Sequence, residues 1–158
     1  MSKQEITTLA SMGLDTLSVR KQLQEVSTKS DDPDRQVGAV IYAPDGRVVS
    51  ASANKLVTPR NEKYSVRTSR VDNQKYYWIE HAERGAIFSA LKNGIDLSEC
   101  LMAVSLFPCA DCARAIIQAG IPTLLAPRVS DLETRHQRTM FAAIDILSEA
   151  RIRVLWLE

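Results

Sequence analysis

The sequence predicts an α/β protein, a three-layer α/β/α sandwich built on a mixed, mostly parallel sheet of five strands. Two short β-rich runs follow one another early in the chain and indicate an antiparallel hairpin. A whole helical segment separates each later strand from the next, and crossovers of this kind join parallel strands. The apolar run CLMAVSL at 100–106 is typical of a strand buried inside a sheet. The 158 residues predict one domain over 1–158.

The N-terminal part of the chain predicts a helix followed by the hairpin. Apolar residues recur at helical spacing over 5–29, with Gly13 as a possible break. The two strands of the hairpin are predicted at 36–43 and 47–53. Pro44-Asp45-Gly46 joins them as a turn, because proline presets its backbone angle and glycine accepts a positive φ.

Helices and strands alternate in the second half of the chain. Asn93-Gly94 predicts the C-terminal end of one helix, and Pro108 predicts the start of the next, which ends near Ala119-Gly120. With the apolar patterns these signals predict helices at 81–93, 108–119 and 131–149, and strands at 100–106, 121–126 and 152–157.

The stretch from Lys55 to Ile79 shows no periodicity, and its charge is predominantly positive. A loop of this length inside a compact domain is usually functional or disordered. Its cations are either partners for a substrate phosphate or solvated surface charges. Its aromatic residues, Tyr76, Tyr77 and Trp78, include a candidate to stack on a substrate ring, although Trp78 could equally anchor the next helix in the core. The candidate phosphate partners are Lys55, Arg60, Lys63, Arg67 and Arg70.

Composition restricts the class of protein. The formal net charge of +1 disfavours a dedicated nucleic-acid binder, without excluding one. No run of about 18 apolar residues predicts a membrane span, and the first residues lack the apolar core of a secretory signal. Three cysteines do not suit a disulfide framework, so a reduced, cytoplasmic setting is predicted.

The pair Cys109 and Cys112 is a C-x-x-C at a predicted helix start, where both sulfurs can reach one ion. The unpaired N–H groups and dipole at the start of a helix favour thiolates. His81 stands at the start of another helix, and such loop-to-helix junctions converge at one edge of an α/β sheet. His136, the other histidine, lies in a charged segment typical of a solvated helix face. His81, Cys109 and Cys112 therefore predict a zinc site with one open position, typical of catalytic zinc.

Glu83, two residues after His81, is the predicted proton carrier. Zinc lowers the pKa of a water in its open position to about 7, and a nearby carboxylate can move protons without binding the metal. The pattern H-x-E with P-C-x-x-C is the signature of zinc-dependent nucleobase deaminases. Taken singly, the C-x-x-C is also compatible with a redox pair, and the H-x-E with a surface histidine beside a solvated acid.

The sequence resembles the deoxycytidylate (dCMP) deaminase branch of the cytidine deaminase superfamily over about residues 29–127. KSDDPDRQVGAVI and GRVVSASAN resemble the family's first two strands, EHAERGAI its first zinc motif and SLFPCADCARAIIQAGI its second. The resemblance implies a fold of cytidine-deaminase type, zinc on His81, Cys109 and Cys112, and Glu83 as proton shuttle. It also implies that Asn54 contacts the base or sugar. With Asn54, the predicted substrate contacts are Ala82, Trp78, Lys55 and Arg60.

The sequence departs from the family pattern at two places. The family commonly has glycine on each side of the asparagine in a G-Y-N-G-like turn, whereas this chain has Ser52, Ala53 and Lys55 there. Where the family has H-A-E-x-N-A, this chain has Arg84 and Gly85. Both places border the substrate in the family. Members of this branch often form hexamers or dimers, so the resemblance implies a homo-oligomer.

Three functions follow from these patterns. The leading prediction is hydrolytic deamination of an amino-pyrimidine nucleotide, dCMP or a close analogue, to its uracil form with release of ammonia. The second keeps this chemistry but places it on a free base, a nucleoside, or a base in tRNA or single-stranded DNA. The third is a zinc-stabilised assembly domain without enzymatic activity, which a fourth protein ligand on the metal would favour.

Overall fold

The computed structural model describes residues 8–129 and 134–157, in which one five-stranded sheet carries the long helices. The main strands are β1 (Gly38–Tyr42), β2 (Val48–Ala53), β3 (Leu101–Val104), β4 (Thr123–Ala126) and β5 (Arg153–Trp156). The long helices are α1 (Thr16–Ser27), α2 (Ala82–Lys92), α3 (Ala110–Gln118) and α4 (Thr134–Glu149).

The sheet is mixed, with strand order β2-β1-β3-β4-β5. β1 is antiparallel to both β2 and β3, whereas β3, β4 and β5 are parallel neighbours. Four strands therefore share one direction, and β1 alone is reversed. The sequence predicted only the hairpin pairing as antiparallel. The second antiparallel pairing arises because the chain crosses from β2 through α2 into β3 on the far side of β1.

Helices cover both faces of the sheet and complete the predicted sandwich. Apolar residues of α2, α3 and α4 pack in one core cluster with alternate residues of β1, such as Ala39 and Ile41. Those of α1 pack in a second cluster with Val40 and Tyr42. This division follows from the strand repeat of two, which sends successive side chains to opposite faces. Strands β1, β3 and β4 are buried along their whole length, as the apolar run at 100–106 predicted.

Most element boundaries fall close to those predicted. Helical residues 8–11 are separated from α1 by Gly13, whose φ of +70° breaks the helix. Gly94, with φ of +69°, follows α2 as its stop signal indicated. Pro108 does not open α3, because Cys109 keeps an extended backbone and caps the helix, which begins one residue later. Residues 131–133 of the helix predicted at 131–149, and the side chain of His136, lie outside the described parts.

The stretch predicted to be irregular folds into short elements. Two-residue strands Lys55–Leu56 and Ile79–Glu80 pair antiparallel and bring its two ends together. Between them lie the one-turn helices Tyr64–Arg67 and Lys75–Trp78 and a 3₁₀ turn at Val71–Asn73. We call residues 55–78 the basic loop. Among the described residues, no helix has the length and hydrophobicity needed to cross a bilayer.

Candidate active site

The predicted zinc ligands stand at the starts of two helices. His81 is the N-cap of α2 and Cys109 the N-cap of α3, and both have extended backbones. Cys112 lies one turn into α3, so its sulfur returns to the same end of that helix. An N-cap residue lies at the N-terminal end of its helix. Because the N-terminal ends of α2 and α3 are neighbours, these side chains lie together.

The three side chains form one cluster that fits a tetrahedral metal site. His81 Nδ1 lies 3.5 Å from Cys109 Sγ and 3.4 Å from Cys112 Sγ. Zinc–nitrogen and zinc–sulfur bonds of about 2.0 and 2.3 Å at a tetrahedral angle separate nitrogen from sulfur by about 3.5 Å. All three ligand atoms lie within 4.8 Å of one another, and within residues 8–129 and 134–157 the cluster has no fourth member. The donor set therefore fits zinc with one open position.

The electrostatics of the cluster favour a thiolate. The hydrogen bond from the Cys112 thiol, aided by one from His81, lowers the pKa of Cys109 to about 4. In return, hydrogen bonding to Cys109 raises the pKa values of His81 and Cys112. Thiolate is the form of cysteine that ligates metals. The site therefore carries negative charge suited to a divalent cation.

Glu83 lies beside the cluster without belonging to it. It is the second residue of α2, its side chain is only 4% exposed, and it lines the same cavity as His81 and Cys109. Burial raises the pKa of Glu83 above its usual range. A carboxyl group whose pKa is raised towards neutrality suits proton transfer in both directions.

Two polar contacts hold the ligand-bearing helix starts in place. Glu80 Oε1 accepts the His81 backbone N–H at 2.9 Å and Arg84 Nε at 2.7 Å. Thr139 Oγ1, from α4, accepts the Ala110 N–H at 3.0 Å, next to Cys109. Each acceptor satisfies an N–H that has no partner within its own helix. Arg84, one of the departures from the family pattern, is therefore part of the support of His81.

The two departures from the family pattern touch each other. A Cβ placed on Gly85 would lie 2.6 Å from Ser52 Oγ and 3.1 Å from Ser52 Cβ. Helix α2 therefore approaches β2 closely only because residue 85 lacks a side chain. A side chain at residue 85 would therefore require Ser52 to move.

Asn54 is buried and lines the cavity, as do Ala82 and Glu83. Asn54 Oδ1 accepts hydrogen bonds from the Val37 N–H at 2.8 Å and from Ser30 Oγ at 2.6 Å, and Nδ2 donates to the Arg35 carbonyl at 2.9 Å. These bonds tie β2 to the turn before β1 and fix the amide at the cavity wall. That Asn54 and Ala82 contact the substrate stays a prediction.

Lys55, Arg60 and Trp78, also predicted to contact the substrate, are not among the residues that line this cavity in the described chain. Lys55 is exposed in its short strand. The indole of Trp78 lies under the Arg67 guanidinium, 4.0 Å from ring centroid to Cζ. Tyr76 and Phe107 are the aromatic residues of the described lining. The prediction that Trp78 contacts the substrate came from its place in the sequence. In the one-turn helix at 75–78, however, neighbouring aromatic side chains point in different directions.

Three cations of the basic loop, Arg60, Arg70 and Lys75, pair with the acidic turn at 31–34. Arg60 Nε lies 3.1 Å from Asp31 Oδ1, which removes Arg60 from the cavity. Lys75 Nζ lies 2.7 Å from Asp32 Oδ2, and Arg70 Nε lies 2.8 Å from Asp34 Oδ2. The positive charge of the loop is therefore partly balanced by the three carboxylates of the turn. This explains how an irregular segment is held over the cavity.

Sequence reasoning missed several residues of the cavity lining. Asp32 and Arg35 lie in the segment KSDDPDRQVGAVI, for which only a strand was predicted, and Lys75 lies in the positively charged loop but not among its candidate phosphate partners. Thr139 and Met140 come from α4, far from either zinc motif. The acids of the turn and the cations of the loop were a signal for pairing. Nothing in the sequence indicated that α4 would line the cavity.

The fold and the three-ligand cluster define a zinc-site α/β domain of deaminase type. Residues 15–126 match the family described as the cytidine and deoxycytidylate deaminase zinc-binding region, and the chain belongs to this family. The deoxycytidylate deaminase of Homo sapiens is 36% identical over 100 residues, which are 61% of this chain and 55% of the human protein. The chain therefore spans little more than half of that relative. An uncharacterized deaminase of Aliivibrio fischeri, in the luxG 3′ region, is 36% identical over 133 residues, 84% of this chain and 86% of its own.

Solved structures show the same fold. The dCMP deaminase of cyanophage S-TIM5 in its apo form superposes with a TM-score of 0.67 at 19% identity, covering 88% of this chain and 94% of the phage chain. The TM-score is 0.63, at 24% identity, for a diaminohydroxyphosphoribosylaminopyrimidine deaminase/5-amino-6-(5-phosphoribosylamino)uracil reductase of Thermotoga maritima. This superposition covers 89% of this chain and 36% of that chain. The predicted sandwich of cytidine-deaminase type is confirmed.

Proposed function

We propose that this chain is a zinc-dependent deaminase that hydrolyses an amino-pyrimidine nucleotide, dCMP or a close analogue, to its uracil form and ammonia. One observation carries the proposal: His81, Cys109 and Cys112 form a three-donor cluster with nitrogen–sulfur distances of 3.4 and 3.5 Å, and the buried Glu83 lines the cavity beside it. Three ligands and a free acid are the parts of a catalytic zinc site, whereas a structural site has four ligands.

Each residue has a role that its position supports. His81, Cys109 and Cys112 hold the zinc, which when bound supplies hydroxide at neutral pH by lowering the pKa of water to about 7. Glu83 takes a proton from the attacking water and gives it to the ring nitrogen. It then takes the second proton from the hydroxyl now on the amino-bearing carbon and delivers it to the departing amine, as that hydroxyl becomes the carbonyl. Overall, a C–O bond forms at the amino-bearing carbon, the C–N bond breaks, and ammonia leaves. Ala82 offers the unpaired N–H of the first turn of α2 to a substrate oxygen.

The choice of a nucleotide rests on the relatives and on the cavity. The human relative is a deoxycytidylate deaminase, and the cyanophage protein has been solved in complex with dCMP and dUMP. In this chain the cavity is lined by Arg35, Arg70 and Lys75, cationic groups that suit a phosphate monoester. A neutral nucleoside is the second candidate, because Lys75 and Arg70 already face carboxylates.

The catalytic role of Glu83 is tested by the substitution Glu83→Gln in zinc-loaded protein. We expect ammonia release from dCMP to fall about 10²- to 10⁴-fold while the zinc content stays unchanged, because proton transfer is lost and the ligands are intact. Glu25→Gln, on the exposed side of α1, is the matched control and should keep wild-type turnover. Wild-type turnover in the Glu83 variant would contradict the mechanism.

Two further predictions accompany this function. From the family resemblance we expect a homo-oligomer, which the sedimentation of purified protein would reveal. The cytoplasmic location predicted from the free cysteines is consistent with a metabolite substrate.

A further inference from the structure

The acidic turn and the basic loop meet in a cluster of four charges at the cavity, formed by Asp32, Asp34, Arg70 and Lys75. Lys75 Nζ contacts both carboxylate oxygens of Asp32, at 2.9 and 2.7 Å, and lies 3.2 Å from Asp34 Oδ2. The same Asp34 oxygen accepts Arg70 Nε at 2.8 Å. A single carboxylate oxygen therefore bridges two cations, and the formal charges of the cluster sum to zero.

The inner and outer parts of this charge cluster differ in burial. The side chains of Lys75 and Asp32 are 6% and 7% exposed, whereas those of Arg70 and Asp34 are 46% and 38% exposed. Asp32 Oδ1 also accepts the backbone N–H groups of Asp34 and Arg35, at 2.9 and 3.2 Å. Asp32 is thus fixed by the backbone and by a buried partner. Among the described residues, the Asp34 side chain is held by Arg70 and Lys75, whose hydrogen bonds lower its pKa, and at 38% exposure its carboxylate can turn into solvent.

The cations that Asp34 bridges belong to the substrate cavity. Arg70, Lys75 and Asp32 line it together with His81 and Glu83. The oxygens of a phosphate monoester accept hydrogen bonds from the same guanidinium and ammonium donors that Asp34 engages. A phosphate entering this cavity would add negative charge to a neutral cluster, so phosphate and Asp34 repel each other and seek the same N–H groups.

Building on the proposed function, we propose that Asp34 is a specificity-determining residue whose carboxylate competes with the substrate phosphate for Arg70 Nε and Lys75 Nζ. Binding a nucleotide displaces Asp34 from its two cations, whereas binding the corresponding nucleoside leaves the bridge intact. Asp34 therefore sets how strongly the cavity prefers a nucleotide over a nucleoside. Asp32 keeps Lys75 in position in both cases.

Two substitutions of opposite expected sign test this inference in the zinc-loaded full chain, with dCMP and deoxycytidine as substrates. Asp34→Asn should lower the KM for dCMP about threefold to tenfold, a change in keeping with a partly exposed ion pair, and leave the deoxycytidine KM unchanged. Arg70→Gln should raise the dCMP KM and spare deoxycytidine. Asp45→Asn, which removes an exposed carboxylate paired with Arg47 in the hairpin turn, is the matched control and should change neither.

Equilibrium binding of dUMP and deoxyuridine separates this inference from the proposed function, because it needs no turnover. Tighter dUMP binding by Asp34→Asn, with unchanged deoxyuridine binding, supports the competition even if ammonia release is absent, which would contradict only the proposed function. Weaker dUMP binding by Asp34→Asn, equal shifts for both ligands, or an Arg70→Gln variant that binds dUMP like the wild type would overturn the inference.

Discussion

The cavity has two walls that are built by different means. The wall that carries His81, Cys109 and Glu83 is made by two helix starts that lie against a buried sheet. The other wall is the charge cluster, in which ion pairs join a turn to an irregular loop. Its members are Asp32, Asp34, Arg70 and Lys75. Backbone geometry positions the proposed zinc ligands and Glu83, whereas pairing between side-chain charges positions the groups proposed to select the substrate.

The two walls should tolerate substitution to different degrees. The ligand wall keeps the H-A-E and P-C-x-x-C motifs, because moving a helix start by a fraction of an ångström would spoil the metal geometry. The loop wall tolerates change, since new charge pairs can hold a loop in several ways. Substitutions in the two walls should therefore differ in size and in kind.

The largest effect is expected for Cys112→Ser, which removes a ligand from the first wall. The variant should lose zinc, all measurable turnover, and on the order of 5 kcal/mol of stability when compared with the zinc-loaded wild type, because metal binding is coupled to folding. Zinc content, ammonia release and chemical denaturation measure these three losses. Cys100 is a buried cysteine outside the cluster, so the Cys100→Ala variant should keep its zinc. Loss of zinc from the Cys100→Ala variant would contradict the ligand assignment.

A smaller but still large effect is expected for Lys75→Met in the second wall. Removing the lysine leaves the Asp32 carboxylate, 7% exposed, without its cation, and breaking a buried pair in this way costs about 3–5 kcal/mol. The free energy of unfolding from urea titration gives the value.

Arg60→Met is the comparison for Lys75→Met, since Arg60 also pairs with the acidic turn but is 64% exposed. Its cost should be about 1 kcal/mol or less. Equal losses of unfolding free energy in the two variants would show that burial does not make the Lys75–Asp32 pair more important for stability than the Arg60–Asp31 pair.

The close approach of Gly85 to Ser52 predicts a coupled pair between α2 and β2. Gly85→Asn should destabilise the protein by about 1–3 kcal/mol, because the new side chain overlaps Ser52. Adding Ser52→Gly should recover most of that loss. A double-mutant cycle of unfolding free energies measures the coupling, and simple additivity of the two changes would refute it.

The smallest effect is expected for Thr139→Val, which keeps the shape of the side chain but removes the acceptor of the Ala110 N–H. The loss should be about 1 kcal/mol, as for other helix caps, and zinc should remain bound. Thermal unfolding measures it against Thr28→Val, whose hydroxyl lies at the exposed end of α1. A wild-type melting temperature for Thr139→Val would mean that α4 does not support the ligand helix.

The sequence predicted the first wall better than the second, for a physical reason. The sandwich and the convergence of His81, Cys109 and Cys112 follow from local signals, namely apolar periodicity and helix-start residues. The pairing of Asp32 with Lys75 joins residues 43 apart, and no local signal fixes which acid meets which cation. Likewise, the sequence did not indicate that Tyr76 rather than Trp78 lines the cavity, since side-chain direction in a one-turn helix depends on tertiary contacts.

The position of β1 shows the same limit at the level of topology. The hairpin turn at 44–46 predicted the pairing of β1 with β2, but the pairing of β1 with β3 depends on where the crossover through α2 returns. Thr139 and Met140 enter the cavity for a comparable reason, because α4 reaches it by packing and not by motif.

The most direct test of the two-wall account compares kcat/KM of the zinc-loaded wild type for dCMP, deoxycytidine, free cytosine and a single-stranded oligodeoxynucleotide containing one cytosine. The account predicts ammonia release with dCMP as the best substrate and deoxycytidine as a weaker one, since the helix-start wall supplies the chemistry and the charge cluster engages the phosphate. A higher kcat/KM for the oligonucleotide or for free cytosine, or no ammonia from any of the four, would contradict it.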